Sequence, residues 1–332
     1  MTSVFVSGAN GFIAQHIVKV LLDKGYSVVG SVRSSAKGRE LESLVDNDKF
    51  SYEVVPSLTN KCAFNEALRR HPEVTVFLHT ASPFSFSIKD IENDLLKPAI
   101  DGTISALDGI KQFAPQIKRV VITSSAVAVF GFGPQFDGNK IYNEDDWNPV
   151  THEQALTNPI FGYFASKKFA ELAARDFIAR ENVNFDISFV NPNFVFGPQA
   201  YKVKDKTSLN FSNEIINQIV KLGFKDEIPM EGQLFVDVRD VARAHLVAFE
   251  NDEAIGQRLL LISGVYTLDL IANIIRRNFP QTTVPRGDES RIDEIKKRIQ
   301  NYDNSKTKRI LGFDFKTLEE SVVDTVEQIY TT

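Results

Sequence analysis

The chain has a single cysteine, Cys62, in 332 residues. One thiol excludes an internal disulfide framework and fits a reducing compartment. Its simplest reading is a structural thiol, not a nucleophile. There is no Lys/Arg-rich block, and the formal net charge is −5. Nucleic acid and an anionic membrane surface are therefore poor partners. No apolar run reaches the ~20 residues a membrane span needs. The stretch from Met1 to Ser7 runs straight into a strand without a basic region and cleavage site, so no signal peptide is read there and a cytoplasmic location is expected. His71, His79, His152 and His245 lie far apart without ligand spacing, so they are read as structural or surface groups and no metal site is expected.

Hydrophobic residues make up 43% of the chain, enough for a sizeable core. In the first half, short β-branched runs alternate with helical patterns. Val4–Val6, Tyr26–Val32, Tyr52–Val55, Val74–His79, Arg119–Ile122 and Phe185–Val190 read as strands. Residues 12–24, 90–113 and 163–181 read as helices. That alternation predicts βαβ units, an α/β fold with a doubly wound parallel sheet. After Pro198 the pattern changes. Helices are expected over 213–222 and toward Glu250, a strand over 259–262, and an exposed charged helix over 288–309. The chain is thus divided into a dinucleotide-binding domain over 1–198, with 235–250 returning to it, and a smaller α/β substrate lobe over 199–332. The Glu144-Asp145-Asp146 run reads as a solvated loop.

The first strand ends in Ser7-Gly8-Ala9-Asn10-Gly11-Phe12-Ile13-Ala14. Glycines between a strand and a helix allow a tight turn and close approach of backbone to a pyrophosphate, at which the helix points its free N–H groups. The second strand should choose the dinucleotide. An acidic residue near its end binds ribose hydroxyls. Here it ends Gly30-Ser31-Val32-Arg33-Ser34-Ser35, without a carboxylate, and Lys37 follows. Arg33 and Lys37 suit a 2′-phosphate, so NADPH/NADP+ is the expected cofactor.

Thr123-Ser124-Ser125 closes a buried strand, and Tyr163-Phe164-Ala165-Ser166-Lys167 opens a helix. Four-residue spacing puts Tyr163 and Lys167 on one face. Hydride addition to a carbonyl leaves an alkoxide that needs a proton. A tyrosine can give it, and a nearby ammonium is expected to lower its pKa from ~10. A serine hydroxyl positions the substrate oxygen. The spacing alone says little; its combination with the glycine loop and the strand-end serines, in this order, is specific.

Together these motifs resemble the extended short-chain dehydrogenase/reductase family, a Rossmann fold. More closely, the chain is similar to the dihydroflavonol-reductase-like branch and, within it, to yeast NADPH-dependent methylglyoxal/3-methylbutanal reductases. The likeness runs through VFVSGANGFIA (4–14), HTASPF (79–84), YFASKKFAE (163–171), NPNFVFGPQ (191–199), DVRDVARAHLVAFE (237–250) and DNSKTKRILGF (303–313). It implies that Ser125 is the catalytic serine, Tyr163 the acid/base and Lys167 its partner. It implies cofactor contacts at Ser7, Gly8, Asn10, Gly11, Phe12 and Ile13, at Arg33 and Lys37, at Ser57 and Leu58, and at Thr80, Ala81 and Ser82. Tyr163, Lys167, Pro192, Val195 and Ser212 complete that set. At Ser57 the family often has aspartate beside the adenine. At Asp101-Gly102 relatives often show Asn-Gly, so an asparagine-dependent proton relay lacks its asparagine. Ala126 stands where yeast relatives often carry tyrosine, which implies a roomier pocket.

The substrate side is expected to be aromatic. Most of the 26 phenylalanines must be core, yet Phe84, Phe132, Phe161 and Tyr201, with Ala126, are taken as pocket lining. The expected activity is NADPH-dependent reduction of aldehydes and ketones, a carbonyl reductase. A sugar-nucleotide epimerase or dehydratase on the same scaffold and a non-catalytic NADP-binding protein are the alternatives. The first would need cationic groups for a diphosphate, against the apolar 126–132 and 194–201 segments. The second has no use for Ser125, Tyr163 and Lys167 together. The partner is a small-molecule aldehyde or ketone; a homodimer through two sheet-flanking helices stays open.

Overall fold

Every residue of β1 (Ser3–Ser7) is buried, because both faces of the strand are covered. Val4 and Val6 pack into one apolar cluster and Phe5 into another on the opposite face, as the two-residue period of a strand requires. The computed structural model describes residues 2–82, 88–133, 136–201 and 209–331. After β1 come α1 (Phe12–Asp23), β2 (Ser27–Val32), α2 (Ser35–Val45), β3 (Phe50–Val54), α3 (Asn65–Arg70), β4 (Val74–His79), α4 (Lys97–Phe113) and β5 (Arg119–Thr123). Next are β6 (Ile141–Tyr142), α5 (His152–Ala155), α6 (Pro159–Arg180), β7 (Asp186–Pro192), β8 (Phe194–Phe196), α7 (Phe211–Val220), β9 (Gly232–Asp237) and α8 (Val238–Glu250). The last elements are β10 (Arg258–Leu261), β11 (Gly264–Thr267), α9 (Leu268–Asn278), α10 (Glu289–Lys296), β12 (Asn301–Tyr302), α11 (Ser305–Leu311) and α12 (Leu318–Thr331).

Among the described residues, seven strands form one parallel sheet in the order β10-β7-β5-β4-β1-β2-β3. The chain starts in the middle, winds to β3 on one side, then returns past β1 to β4 and onward. The carboxyl ends of β1 and β4 are therefore the switch point where a doubly wound sheet opens a crevice. Helices α1 and α8 cover one face of the sheet, and α3, α4 and α6 cover the other. A three-stranded sheet, β11-β9-β8, carries α7, α9 and α12 over a separate apolar cluster.

Four local expectations change. The strand expected over 259–262 with the smaller lobe is β10, and it pairs with β7 at the edge of the large sheet. Only that long-range pairing assigns it. The helix expected over 90–113 is a π-helical turn, Glu92–Leu96, followed by α4. Pro98 in the first turn of α4 has no N–H to give and its ring crowds the preceding turn, which disfavours a regular α-helix through this point. Helix α6 begins at Pro159, one turn before Tyr163, under an Asn158 cap whose side chain accepts from the Ile160 and Phe161 N–H groups. Glu144 is not solvated. It is buried, and its carboxylate accepts the backbone N–H of Thr307 at 2.9 Å and the Thr307 hydroxyl at 2.5 Å, holding the first turn of α11.

Candidate active site

The glycine loop is held by its neighbours before any ligand is considered. Gly11 N–H donates to Gly8 O at 2.9 Å, closing the turn. Gly8 N–H donates to Ser31 Oγ at 3.1 Å and Ala9 N–H to Ser31 O at 2.8 Å, tying the loop to β2. Gly8 has φ +66°, and a Cβ there would lie 3.0 Å from that of Ala81. Both the left-handed conformation and the close approach call for glycine. Helix α1 opens after Gly11 with no side-chain cap, so its first N–H groups are open to an anion.

A cleft of about 410 Å³ lies at this point, at the switch between β1 and β4. Gly8, Asn10, Gly11, Arg33, Lys37, Leu58, Thr80, Ala81 and Ser82 line it, together with Ser31, Val32 and Val55. The last three were not singled out from sequence; their place at the carboxyl ends of β2 and β3 was the available signal. None of these lining residues is acidic. Arg33 makes no ion pair among the described residues, and Lys37 makes only an exposed one to Glu40 at 2.9 Å. The glycine cradle, the uncapped helix and two cations on a lining that holds no acidic residue among the described ones fit a dinucleotide bearing an extra phosphate.

Other expected contacts lie differently. The Ser7 hydroxyl is buried and accepts the N–H groups of Thr80 and Ala81 at 3.0 and 3.1 Å, so its side chain straps β1 to the segment after β4. Phe12 and Ile13 pack partly against the core. Ser57 is exposed and bonds Thr59. Asp101 is exposed on α4, while the adjoining Gly102 backs onto Leu58. The Val195 side chain is in the core, and Ser212 lies on the first turn of α7, outside the cleft. His79 and His245 are buried, and burial holds each down at about 4, so both are neutral.

Ser125 follows β5 and caps the short 3-10 turn Ala126–Ala128, accepting from Val127 N–H at 3.3 Å. Its hydroxyl also hydrogen-bonds Tyr163 and points at Pro192 O at 3.4 Å. One turn after Tyr163 on α6, the Lys167 ammonium lies 5.8 Å from the tyrosine ring centroid and donates to Ser82 Oγ at 2.8 Å. Burial pulls Lys167 down to about 8. The expected lowering of the tyrosine is not seen. Burial raises Tyr163 above its ordinary value, and the Ser125 hydrogen bond offsets that only in part. The removal of the phenol from water outweighs its neighbours.

On the substrate side, Phe132 packs on Phe164 with ring centroids 4.5 Å apart, and Phe161 and Tyr163 each lie 6.3 Å from Phe164. Phe164, next to Tyr163 in sequence, was missed; adjacency to the acid was the signal. Phe130 and Phe196 are fully buried core. Phe84 and Phe86 lie outside the described residues. Two expected lining residues have other surroundings. Ala126 is fully buried in one apolar cluster with Val129, Phe130, Leu234 and Leu260, so its small side chain serves core packing. Tyr201 lies within electrostatic reach of Asp23, which with burial raises its phenol to about 12. Asp23 ends α1, at the opposite end from the glycine loop.

Comparison with known proteins identifies relatives over the whole chain. Residues 4–262 match the model of the NAD dependent epimerase/dehydratase family. The chain is 49% identical to a putative NADPH-dependent methylglyoxal reductase, GRP2, of Candida albicans, over 99% of this chain and 98% of that one. It is 44% identical to the NADPH-dependent methylglyoxal reductase GRE2 of Saccharomyces cerevisiae, over 98% of each. The crystal structure of Candida albicans Gre2 in complex with NADPH superposes with a TM-score of 0.96 at 48% identity, covering 100% of this chain and 99% of that one.

Proposed function

We propose that this chain, which belongs to the NAD dependent epimerase/dehydratase family, reduces small aldehydes and ketones to alcohols with NADPH. The observation that carries the reading is the Ser125–Tyr163 hydrogen bond beside the Lys167 ammonium, at the edge of a cleft with two cations and no acidic lining residue. NADPH, when bound, supplies the hydride that reaches the carbonyl carbon. The Ser125 hydroxyl donates to the carbonyl oxygen and holds it beside the phenol. Because Tyr163 is raised, it keeps its proton at neutral pH and delivers it to that oxygen as negative charge develops. The Lys167 ammonium stabilises the phenolate left behind.

Arg33 and Lys37 hold the 2′-phosphate, and Gly8 to Ile13 hold the pyrophosphate. Thr80, Ala81, Ser82 and Leu58 line the cofactor, with Pro192 and Val195 meeting the nicotinamide through their backbone. Phe132 and Phe161, with Phe164, give the substrate an apolar wall. The chain from 199 on shapes the substrate side, except that β10 completes the large sheet and α8 covers it. Among the described residues no helix is long and apolar enough to cross a membrane. The reading places the enzyme in the cytosol, where the exposed thiol of Cys62 stays reduced.

The test is oxidation of NADPH, followed by absorbance, with methylglyoxal, 3-methylbutanal and an aryl ketone, repeated with NADH. Substrate-dependent loss of NADPH, with little loss of NADH, is the expected result. No turnover of any carbonyl by protein that binds NADPH tightly would overturn the reading.

A further inference from the structure

Tyr163, Lys167 and Glu171 recur at four-residue spacing along α6, so one helix stripe carries all three. The first two are partly exposed, but Glu171 is fully buried. Its Oε2 accepts the Ser124 hydroxyl at 2.8 Å and the Asn191 side-chain amide at 3.0 Å. The same Asn191 nitrogen donates to the backbone carbonyl of Ser125 at 3.1 Å. The other oxygen, Oε1, pairs with Arg258 Nε at 2.8 Å. The Arg258 guanidinium lies 4.1 Å from the Trp147 ring centroid and donates to the backbone carbonyls of Glu144 and Asp146.

Such a network costs desolvation that an apolar cluster of equal volume would avoid, so stability alone is a weak reason for it. Its attachment points are informative. They are the side chain of Ser124 and the backbone of Ser125, on both sides of the peptide that carries the reacting hydroxyl. That hydroxyl is held loosely by the backbone, at 3.3 Å from Val127 N and 3.4 Å from Pro192 O. Its aim therefore depends on where the 124–125 backbone sits. We propose that Glu171 and Asn191 are positioning residues that, through Ser124 and the Ser125 carbonyl, fix the Ser125 hydroxyl against Tyr163 and the substrate oxygen. This rests on the reading of Ser125 and Tyr163 as the reacting pair. It makes α6 the carrier of both the proton donor and the anchor of the hydroxyl opposite, so the distance between them is set within one rigid element.

The test uses Ser124→Ala and Asn191→Ala in the full chain, with Ser125→Ala and Tyr163→Phe in parallel. Turnover of 3-methylbutanal, NADPH affinity by fluorescence titration and thermal melting are measured for each. Misplacement of a reacting group by ~1 Å costs about 100-fold. Asn191→Ala should lower kcat by about that factor, and Ser124→Ala by about fivefold. NADPH affinity should stay within about twofold of the parent, a split between kcat and binding that general loosening would not produce. The sole tryptophan, Trp147, reports on the Arg258 end of the network, and its emission should be retained in Ser124→Ala. Unchanged kcat in both variants, beside inactive Ser125→Ala and Tyr163→Phe, would overturn the positioning role alone. Active Ser125→Ala and Tyr163→Phe would overturn the reading beneath it. If Asn191→Ala does not fold, Ser124→Ala decides by the same criterion.

Discussion

The Lys167 ammonium donates to Ser82 Oγ at 2.8 Å, joining the middle of α6 to the segment that follows β4. Ser82 lines the cofactor cleft, and among the described residues the lysine beside Tyr163 has no acidic partner. A buried cation with only a neutral hydrogen-bond acceptor loses hydration that nothing fully replaces, and its proton becomes easier to lose.

From this follows a pH dependence. Lys167 is held at about 8, and the reading needs it protonated. Reduction should fall as pH rises through that value, by about fivefold between pH 8 and pH 9 for a single titrating group. The linkage to stability has the opposite sign. The folded state binds fewer protons than the unfolded chain between about 8 and ~10.4, so this group favours folding more as pH rises there. A kcat profile recorded with thermal melts at each pH separates the two. Constant kcat up to pH 10 would remove the ammonium from the reaction.

Tyr163→Phe removes the proton donor and leaves the ring. General acid catalysis is worth roughly 10²–10⁴-fold, and a loss of that size is expected with NADPH binding retained. Carbonyl-dependent NADPH oxidation, with a fluorescence titration beside it, provides the measurement. Retention of more than a tenth of the parent rate would deny Tyr163 the role.

Arg33→Ala should weaken NADPH by about 10- to 100-fold, as expected for losing charge-assisted bonds to a phosphate, and leave NADH nearly unchanged. Lys37→Ala should do the same more weakly, because Lys37 is exposed and already shared with Glu40. Titration of each variant with both cofactors checks this. Equal losses for the two would mean that neither side chain reads the phosphate.

Gly8→Ala combines a left-handed backbone costing ~1–2 kcal/mol with a Cβ placed 3.0 Å from that of Ala81. The expected result is a melting temperature lower by several degrees and a marked loss of NADPH affinity. Parent-like values in both would show that the loop can move aside without consequence.

Much of the site was legible because it is local. A glycine loop between a strand and a helix, an arginine at the next strand end, and a tyrosine and lysine one helical turn apart are short-range patterns. Their geometry follows from strand and helix periods alone. The chain order of apolar runs likewise specified a parallel sheet, since strands covered on both faces must be apolar on both. Other features depended on partners far away in sequence. Whether β10 joined the large sheet rested on pairing with β7, more than sixty residues earlier. Ala126 reads as a gap in a pocket from sequence, and its burial in a cluster with Leu234 and Leu260 comes from distant parts of the chain. Tyr201 was placed by where the chain runs after β8, against the far end of α1. The buried state of Glu144, the Glu171–Asn191 network and the raised phenol of Tyr163 all depend on what packs around each group. Sequence by itself determined which groups stand at the ends of which elements; only the tertiary structure decided which of them lost water, because burial is a property of everything packed around a group and not of the group's neighbours along the chain.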